Sequence, residues 1–259
     1  TLSRRISALE KEIGLRLLHR TTRKIELTEA GQLYYQRCKQ IIEEAKLAHE
    51  QLGDMLAQPS GVLRASLPVD FATAFLAPLL PEFCSKYPNI TFEFDLTPRK
   101  VDMVTESFDV AIRMGEQHDS NLIARRLASL PTYLYASPRY LEISGEPIKP
   151  ADLKKHECFN FFKFSEWNLN NGTQTAQIST SGKFIINNVG MIRQLGVLGM
   201  GIILMPQKMV MDDVANGLLC RVLPSWHGSS ISVYAITETR LIPAKTRCFI
   251  DFLSKRLDG

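Results

Sequence analysis

The chain has 259 residues, a formal net charge of +4, 45% hydrophobic residues and 22% charged residues. This composition is typical of a globular protein and excludes a disordered or collagen-like chain. No apolar run approaches the ~18 residues of a membrane-spanning helix, so no membrane partner is expected. The N-terminus is polar and basic with no apolar stretch behind it, so we predict no secretory signal and a cytoplasmic location.

The positive charge is concentrated at one end of the chain. Residues 1–24 contain seven Lys or Arg and two Glu, a local charge of +5. The remaining residues therefore sum to about −1. A basic segment attached to a nearly neutral body favours an anionic partner for that segment alone.

The first elements of the chain suit DNA. Apolar residues recur every three or four positions over residues 2–13, which predicts an amphipathic helix with Ser3 and Arg4 on its polar face. One further helical turn is expected over residues 15–20, and the alternating residues 21–27 then predict a basic β-hairpin. Such a helix fits the major groove of double-stranded DNA, and the hairpin fits the neighbouring backbone or minor groove. A solvated basic surface is the alternative.

A long helix is predicted over residues 29–57, with Thr28 as its N-cap. Its apolar positions alternate at spacings of four and three, as in the seam of a coiled coil, which predicts pairing with a second copy of the chain. A helix packed on its own domain is the alternative. The seam residues are Tyr34, Cys38, Ile41, Ala45, Ala48, Leu52 and Met55.

From residue 61 onward, strand-like and helix-like segments alternate. This pattern predicts βαβ units, a mostly parallel sheet and two α/β lobes around a cleft. Ligands of such folds bind beyond the carboxyl ends of strands, where helix N-termini offer free N–H groups. Asp70 at a helix start and Arg113 at a strand end would suit a small anion or carboxylate. The alternatives are that Asp70 caps its own helix and that Arg113 pairs with Glu116 or Asp109.

Signals for catalysis are absent from the sequence. It contains no G-x-S-x-G, H-E-x-x-H or phosphate-loop motif, so we expect no enzyme and no cofactor. The five histidines lie in unrelated segments and are expected at the surface. The five cysteines are scattered without a C-x-x-C pair, so we expect no metal site and buried, small apolar residues in a reducing cytosol. A redox-sensing pair brought together by folding is the alternative.

The order of these segments resembles that of a LysR-type transcriptional regulator. The residues LSRRISALEKEIGLRLLHR (2–20) resemble the recognition helix of that family and the turn after it, and TTRKIELTEAG (21–31) resembles its hairpin. Weaker matches follow in the order of the family, and together they cover essentially the whole chain: GVLRASLP (61–68), the LPEF and YPNI elements (80–90), FDVAIRMGE (108–116), YASPRYL (135–141) and GVLGMGIILMP (196–206).

The resemblance implies an α/β protein with three parts. These are a partial winged helix-turn-helix (1–28), a linker helix that pairs subunits (29–58) and, after a hinge (59–61), a two-lobed effector domain of the periplasmic-binding-protein type with Rossmann-like subdomains (62–259). Lobe I is expected at about 62–134 and 237–259, and lobe II at about 135–236. It further implies a homodimer or homotetramer regulated by a small-molecule effector.

Residue roles carried over from the family fall into two groups. The recognition helix and wing imply DNA contacts by Thr1, Ser3, Arg4, Arg5, Arg20, Arg23 and Lys24. The cleft implies effector contacts by Pro68, Val69, Asp70, Phe71, Arg113, Gly115, Ser137, Asn188 and Val189.

Two departures from the family are visible. The family has two helices and a turn before the recognition helix, whereas this sequence begins within that helix, so preceding residues are expected to be truncated or omitted. The peroxide-sensing members carry two nearby cysteines, whereas Cys158 and Cys220 are 62 positions apart. Two other classes on the same fold are a transporter's solute-binding protein, which has no use for residues 1–58, and a bilobal enzyme, whose motifs are missing.

Overall fold

The computed structural model describes most of the chain and divides it into two compact units. The described residues are 2–20, 25–54, 59–97, 103, 106–115, 122–161, 166–180 and 182–257, with only the backbone described for Leu2, Arg20 and residues 46–54. The first unit is Thr1–Gln58 with Leu241–Ala244, and the second is Pro59–Arg240 with Lys245–Gly259.

The first unit consists of two helices joined by a hairpin. Its elements are α1 (Leu2–Ile13), β1 (Leu18–Arg20), β2 (Ile25–Leu27) and α2 (Glu29–Asp54). The predicted helix, hairpin and long helix are thus confirmed. The extra helical turn over residues 15–20 is wrong, because Gly14 ends α1 at φ 79° and Leu18–Arg20 pairs antiparallel with Ile25–Leu27.

The second unit alternates helices and strands around one large sheet. In chain order its elements are β3 (Gly61–Ser66), α3 (Val69–Phe71), α4 (Leu80–Lys86), β4 (Ile90–Asp95), β5 (Val110–Met114), β6 (Ile123–Ala136), α5 (Pro138–Ser144), β7 (Asn160–Phe161), β8 (Glu166–Asn170), β9 (Thr175–Ser179), β10 (Ile185–Ile186), α6 (Val189–Val197), β11 (Ile203–Pro206), α7 (Gln207–Ala215), β12 (Cys220–Val222), β13 (His227–Thr237) and α8 (Ala244–Leu257). A π-helical turn (Ala72–Leu76) and a 3-10 turn (Ala77–Leu79) join α3 to α4 into one helical run.

The sheet is mixed, so the prediction of a mostly parallel sheet is wrong. Strand β3 pairs in parallel with β4 and β5, as βαβ units require. However, β13 returns from the C-terminal part of the chain and lies between β5 and β6, antiparallel to both. Strands β11 and β12 are also antiparallel to β6. Each of these antiparallel pairs involves one of the two long strands, β6 or β13.

Strands β6 and β13 divide the sheet into two parts. We call β3, β4 and β5 with their helices α3, α4 and α8 the first half, and β11 and β12 with helices α6 and α7 the second half. The partner strands of β6 change beside Pro131, where Leu130 pairs with Ile231 but Thr132 pairs with Gly228. The extra residue of β13 at this point is a bulge, and it accommodates a proline that cannot donate to the ladder.

Each half has its own core. In the first half the ring of Phe83 lies 5.6 Å from Phe92, 5.6 Å from Phe249 and 5.2 Å from Phe252, which ties α4 and β4 to α8. In the second half buried residues of β6, α6, β11 and α7 form one cluster, which contains Tyr135, Ile192, Ile203 and Val210.

Two predictions about polar residues are corrected. His156 is buried rather than exposed, and its Nδ1 lies 3.2 Å from the Tyr140 hydroxyl. Of the cysteines only Cys158 is buried, whereas Cys84 is exposed. Burial raises the pKa of the Cys158 thiol to about 12, so this thiol stays protonated and unreactive.

Candidate DNA-binding surface and effector site

The polar face of α1 is open to solvent. Ser3, Arg4 and Arg5 are exposed, whereas Ile6 and Leu9 on the apolar stripe are half-buried. The start of a helix with two exposed arginines and a hydroxyl can reach base edges and phosphates. Thr1 lies outside the described residues.

Glu10 fixes α1 to the hairpin. Its Oε1 accepts hydrogen bonds from the backbone N–H of Leu17 at 2.8 Å and of Leu18 at 3.0 Å. A carboxylate that accepts two N–H groups forms stronger hydrogen bonds than a neutral acceptor would. One of the two acidic residues in the basic segment therefore has a structural task, and it sets the angle between helix and hairpin.

Thr28 and Gly31 join the hairpin to α2. The Thr28 hydroxyl donates to the Arg16 carbonyl at 2.7 Å and accepts from the Gly31 N–H at 2.9 Å, which confirms Thr28 as N-cap. A Cβ added to Gly31 would lie 2.0 Å from the Leu17 carbonyl oxygen. Only glycine lets α2 pass this close to the strand, so the position of the hairpin is strictly defined.

Two of the predicted wing cations, Arg23 and Lys24, lie between β1 and β2 in the sequence. Arg20 ends β1 and pairs with Ile25 of β2. Arg23, Lys24 and the side chain of Arg20 lie outside what the structure describes. Their contacts with DNA stay a prediction.

The predicted seam of α2 is open in the single chain. Ile41 is 64% exposed and Tyr34 is 36% exposed, and Ala45 is also exposed, whereas Cys38 is half-buried. The side chains of Ala48 and Leu52 and the whole of Met55 lie outside what the structure describes. A stripe of apolar residues on a long helix is the surface by which two such helices pair.

Arg113 is held at the edge of the first half. Its Nη1 donates to the Ser66 carbonyl at 3.1 Å and its Nη2 to the Ser66 hydroxyl at 2.9 Å. Pairing with Asp109 is wrong, because Asp109 instead accepts from Lys245 Nζ at 3.0 Å. Glu116 lies outside the described residues. The guanidinium therefore joins the ends of β3 and β5, directly before the turn that carries Asp70.

Asp70 lies at the start of a helix of the opposite half. Its Oδ1 lies 2.7 Å from the position that a Cβ on Gly190 would take, and the backbone N–H groups of Val189 and Gly190, the first residues of α6, lower the pKa of its carboxyl. Its own helix α3 is instead preceded by Pro68, which provides no side-chain cap. The predicted site residues Asp70 and Val189 are thus brought together, and they join the two halves.

Two further site residues are helix N-caps. Ser137 Oγ accepts from the Tyr140 N–H at 3.2 Å, and Asn188 Oδ1 accepts from the Met191 N–H at 2.7 Å. Ser137 lies beside Gly199, after the end of α6, whereas Asn188 precedes its start. Because the nine residues of α6 span about 13 Å, Ser137 lies apart from the Asp70 contact.

The remaining predicted effector residues differ in their burial and in their contacts. Val69 is half-buried beside Asp70, and Gly115 adopts φ 87° and donates its N–H to the Ser232 carbonyl at 2.9 Å. The ring of Phe71 is fully buried and stacks on Phe75 at 5.4 Å. The ring of Phe71 therefore packs in the core and supports the turn that carries Asp70.

Two residues of this region, Ser66 and Lys208, were missed from the sequence, whereas Gly190 was predicted only as part of a helix start at residues 187–190. Ser66 is fully buried and holds Arg113, Gly190 admits the Asp70 carboxylate, and Lys208 Nζ on α7 lies 5.5 Å from the Phe75 ring centre. A glycine in the first turn of a helix was the one visible signal, because that position has no need for glycine unless a neighbour approaches closely. The other two residues depend on tertiary contacts.

Within the described ranges, no cluster of three or more His, Cys, Asp or Glu could hold a metal ion. No helix in the same ranges combines the length and apolarity that crossing a bilayer requires.

Comparison with known proteins places this arrangement in a class. Residues 1–32 match the family of bacterial regulatory helix-turn-helix proteins of the lysR family, and residues 56–258 match the LysR substrate binding domain. An HTH-type transcriptional regulator of Xanthomonas campestris pv. campestris is 36% identical over 100% of this chain and 77% of its own length.

Two solved structures show the same fold. The full-length virulence activator AphB of Vibrio cholerae is 32% identical, with a TM-score of 0.65 over 98% of this chain and 89% of its own. CrgA of Neisseria meningitidis is 28% identical, with a TM-score of 0.70 over 99% of this chain and 89% of its own.

A helix-turn-helix segment joined to a substrate-binding domain defines a ligand-responsive regulator of transcription. The chain belongs to the LysR family of transcriptional regulators, whose members bind DNA and small-molecule effectors and form oligomers. Its relatives are regulators, not enzymes.

Proposed function

We propose that α1 and the hairpin form the DNA-reading surface. Ser3, Arg4 and Arg5 face base edges and nearby phosphates in the major groove, and Thr1, which precedes α1 in the sequence, contacts the same DNA. The wing residues Arg20, Arg23 and Lys24 neutralise phosphates. The observation that supports this most is that the cationic face of α1 is exposed while Glu10 and Thr28 fix its base.

Two copies would pair through α2. The exposed Tyr34 and Ile41, together with Cys38 and Ala45, provide the described part of the seam, and Ala48, Leu52 and Met55 extend it. The smallest assembly is a homodimer, and two dimers would form a homotetramer. Two recognition helices would then meet half-sites about one helical turn of DNA, or a multiple of it, apart. The protein acts in the cytoplasm, where its DNA is.

The effector would bind between two lobes of the second unit. Its surroundings are the predicted set Pro68, Val69, Asp70, Phe71, Arg113, Gly115, Ser137, Asn188 and Val189. Lobe I comprises about 62–134 and 237–259, and lobe II about 135–236, with β6 and β13 running through both. Effector binding regulates DNA binding if its affinity differs between two arrangements of the subunits. An anionic effector stays a prediction.

The test is a mobility-shift assay of the full chain with its own upstream region and with unrelated DNA of equal length. Arg23→Ala should weaken binding to both DNAs about equally, because phosphate contacts are independent of sequence. Arg4→Ala should reduce the preference for the upstream region, since a base contact is lost.

Arg139→Ala is the matched control, because Arg139 is an exposed arginine of α5 in the effector domain. It removes the same charge and should leave both affinities unchanged. The DNA-reading surface would be refuted if Arg139→Ala and Arg23→Ala weakened binding equally. For the effector, thermal-shift screening of small carboxylates and aromatic compounds on the full chain should raise the melting temperature of the second unit.

A further inference from the structure

A side chain of the protein itself, Asp70, lies at the start of α6 in the proposed cleft. The first N–H groups of a helix lack partners within the helix and attract anions. In this protein the carboxylate of Asp70 lies against the first turn of α6, with Oδ1 2.7 Å from the position of a Cβ on Gly190, and the N–H groups of Val189 and Gly190 lower its pKa. The position at which a ligand carboxylate would bind α6 is therefore occupied by a side chain from the opposite half.

Gly190 is matched to this contact. A Cβ added to Gly190 would lie 2.7 Å from Asp70 Oδ1 and 3.3 Å from Asn188 Oδ1. Its φ is not positive, so its backbone conformation does not require glycine. What requires it is the close approach of the carboxylate, and any larger residue would push Asp70 away from the helix.

The neighbouring cations are engaged elsewhere. Arg113 of β5 is held by Ser66, and Arg193 of α6 binds Asp213 of α7 at 2.6 and 2.7 Å. Lys208 of α7 lies over the ring of Phe75. No charged side chain among the described residues contributes to the shifted pKa of Asp70, so its charge is balanced mainly by the two N–H groups.

Burial raises the pKa of Asp70 above its ordinary value, and the two N–H groups oppose this shift only in part. Protonation at lower pH removes the negative charge from the α6 N-terminus.

We propose that Asp70 is a specificity-determining residue of the effector cleft. Its carboxylate occupies the α6 N-terminus and excludes anionic groups from it, so the cleft accepts a neutral or cationic group at this end. An anion enters this end only when Asp70 is replaced or protonated, so an anionic group of the effector would bind at another part of the cleft. The inference rests on the proposed effector site but not on DNA binding.

The experiment is a titration of the deuterated full chain with sodium sulfate, observed through the amide signals of Val189 and Gly190 in 1H–15N spectra at constant ionic strength. Sulfate stays ionised across the pH range of interest. At pH 7 the wild-type signals should not move, whereas in Asp70→Ala they should shift and saturate, with an affinity at least about tenfold higher. Asp212→Ala, which removes an exposed acid on α7, should behave like the wild type.

Two results would overturn the proposal. One is saturable sulfate binding at Gly190 that is equally tight in the wild type and Asp70→Ala, and the other is no sulfate binding at Gly190 in Asp70→Ala. If Asp70→Ala does not fold, Gly190→Ala displaces the carboxylate without changing charge, and the pKa of Asp70 should then fall toward its ordinary value. An unchanged pKa in Gly190→Ala would also contradict the proposal. These measurements can be interpreted even if the protein does not bind DNA, because none of them involves DNA.

Discussion

The two units of the chain are stabilised in different ways. Among the described hydrophobic residues of the first unit only Leu17 is buried, and its geometry rests on polar contacts of Glu10 and Thr28. The second unit buries a set of large side chains, among them Phe83, Phe249 and Leu134. The described part of the first unit therefore has a small apolar core, whereas the described part of the second unit has a large one.

The difference in buried apolar area has a different consequence for each unit. A small unit with little buried apolar area depends on additional partners for its stability, and the open seam of α2 provides a surface for one. A large unit can tolerate a cleft, since each half keeps its own core. Both tryptophans, Trp167 and Trp226, belong to the second unit, so tryptophan fluorescence reports on its unfolding alone.

The largest effect is expected in the aromatic core of the second unit. Phe83→Ala should lower the free energy of unfolding by about 3–5 kcal/mol, because it leaves a cavity among Phe92, Phe249 and Phe252. Urea unfolding followed by tryptophan fluorescence measures this change. Phe161→Ala is the control, since that ring is 40% exposed and its loss should cost about 1 kcal/mol or less. Equal costs for the two variants would refute the assignment of the core.

A smaller effect is expected for the seam of the first unit. Ile41→Glu places a charge within the proposed helix pair and should weaken self-association by at least about tenfold. Sedimentation velocity over a concentration series measures the shift toward monomer. Gln40→Glu adds the same charge at the adjacent exposed position and should preserve the assembly. If Ile41→Glu sediments like the wild type, α2 does not form the interface.

Loss of the α2 cap should cost less again. Thr28→Ala removes the bonds to Arg16 and Gly31 and should destabilise the first unit by about 1 kcal/mol. DNA affinity should fall while the tryptophan unfolding transition stays in place, which separates the units. Thr28→Ser retains the hydroxyl and should restore most of the affinity. A shift of the tryptophan transition in Thr28→Ala would show that the units are not independent.

The smallest effect concerns pH. Because the folded-state pKa of Asp70 is raised, the folded state holds this proton more tightly than the unfolded state does. The contribution of Asp70 therefore stabilises the second unit at low pH and is lost as pH rises from the ordinary aspartate pKa through the raised value. Asp70→Asn should remove this part of the slope, measured by urea unfolding between these limits. An identical pH dependence in both proteins would contradict the raised pKa.

Local patterns predicted much of the fold. The helix predicted from the apolar spacing of residues 2–13 agrees with α1 at both ends. The hairpin of β8 and β9 was missed although Asn170, Asn171 and Gly172 form a turn signal between its strands. The full length of β6 was missed because Pro131 argues against a strand, and only the bulge in β13 accommodates it.

The site was less predictable than the fold. Ser137 and Asn188 were predicted as effector contacts, which stay a prediction, and the structure shows that each of them caps a helix. The partners of Arg113 and Asp70 were not predictable, because Ser66 and Gly190 are brought close only by tertiary packing. No residue spacing in the sequence indicates that a carboxylate of one half lies at the start of a helix of the other half.

The most direct test of the account is the salt dependence of DNA binding by the full chain, measured by fluorescence anisotropy with its upstream region. The logarithm of the binding constant should fall linearly with the logarithm of the salt concentration, and Arg23→Ala and Lys24→Ala should each reduce the slope by about 1. Arg139→Ala should leave the slope unchanged. A slope near zero, or equal slopes for the wild type and the wing variants, would contradict a basic DNA-reading unit joined to a nearly neutral effector domain.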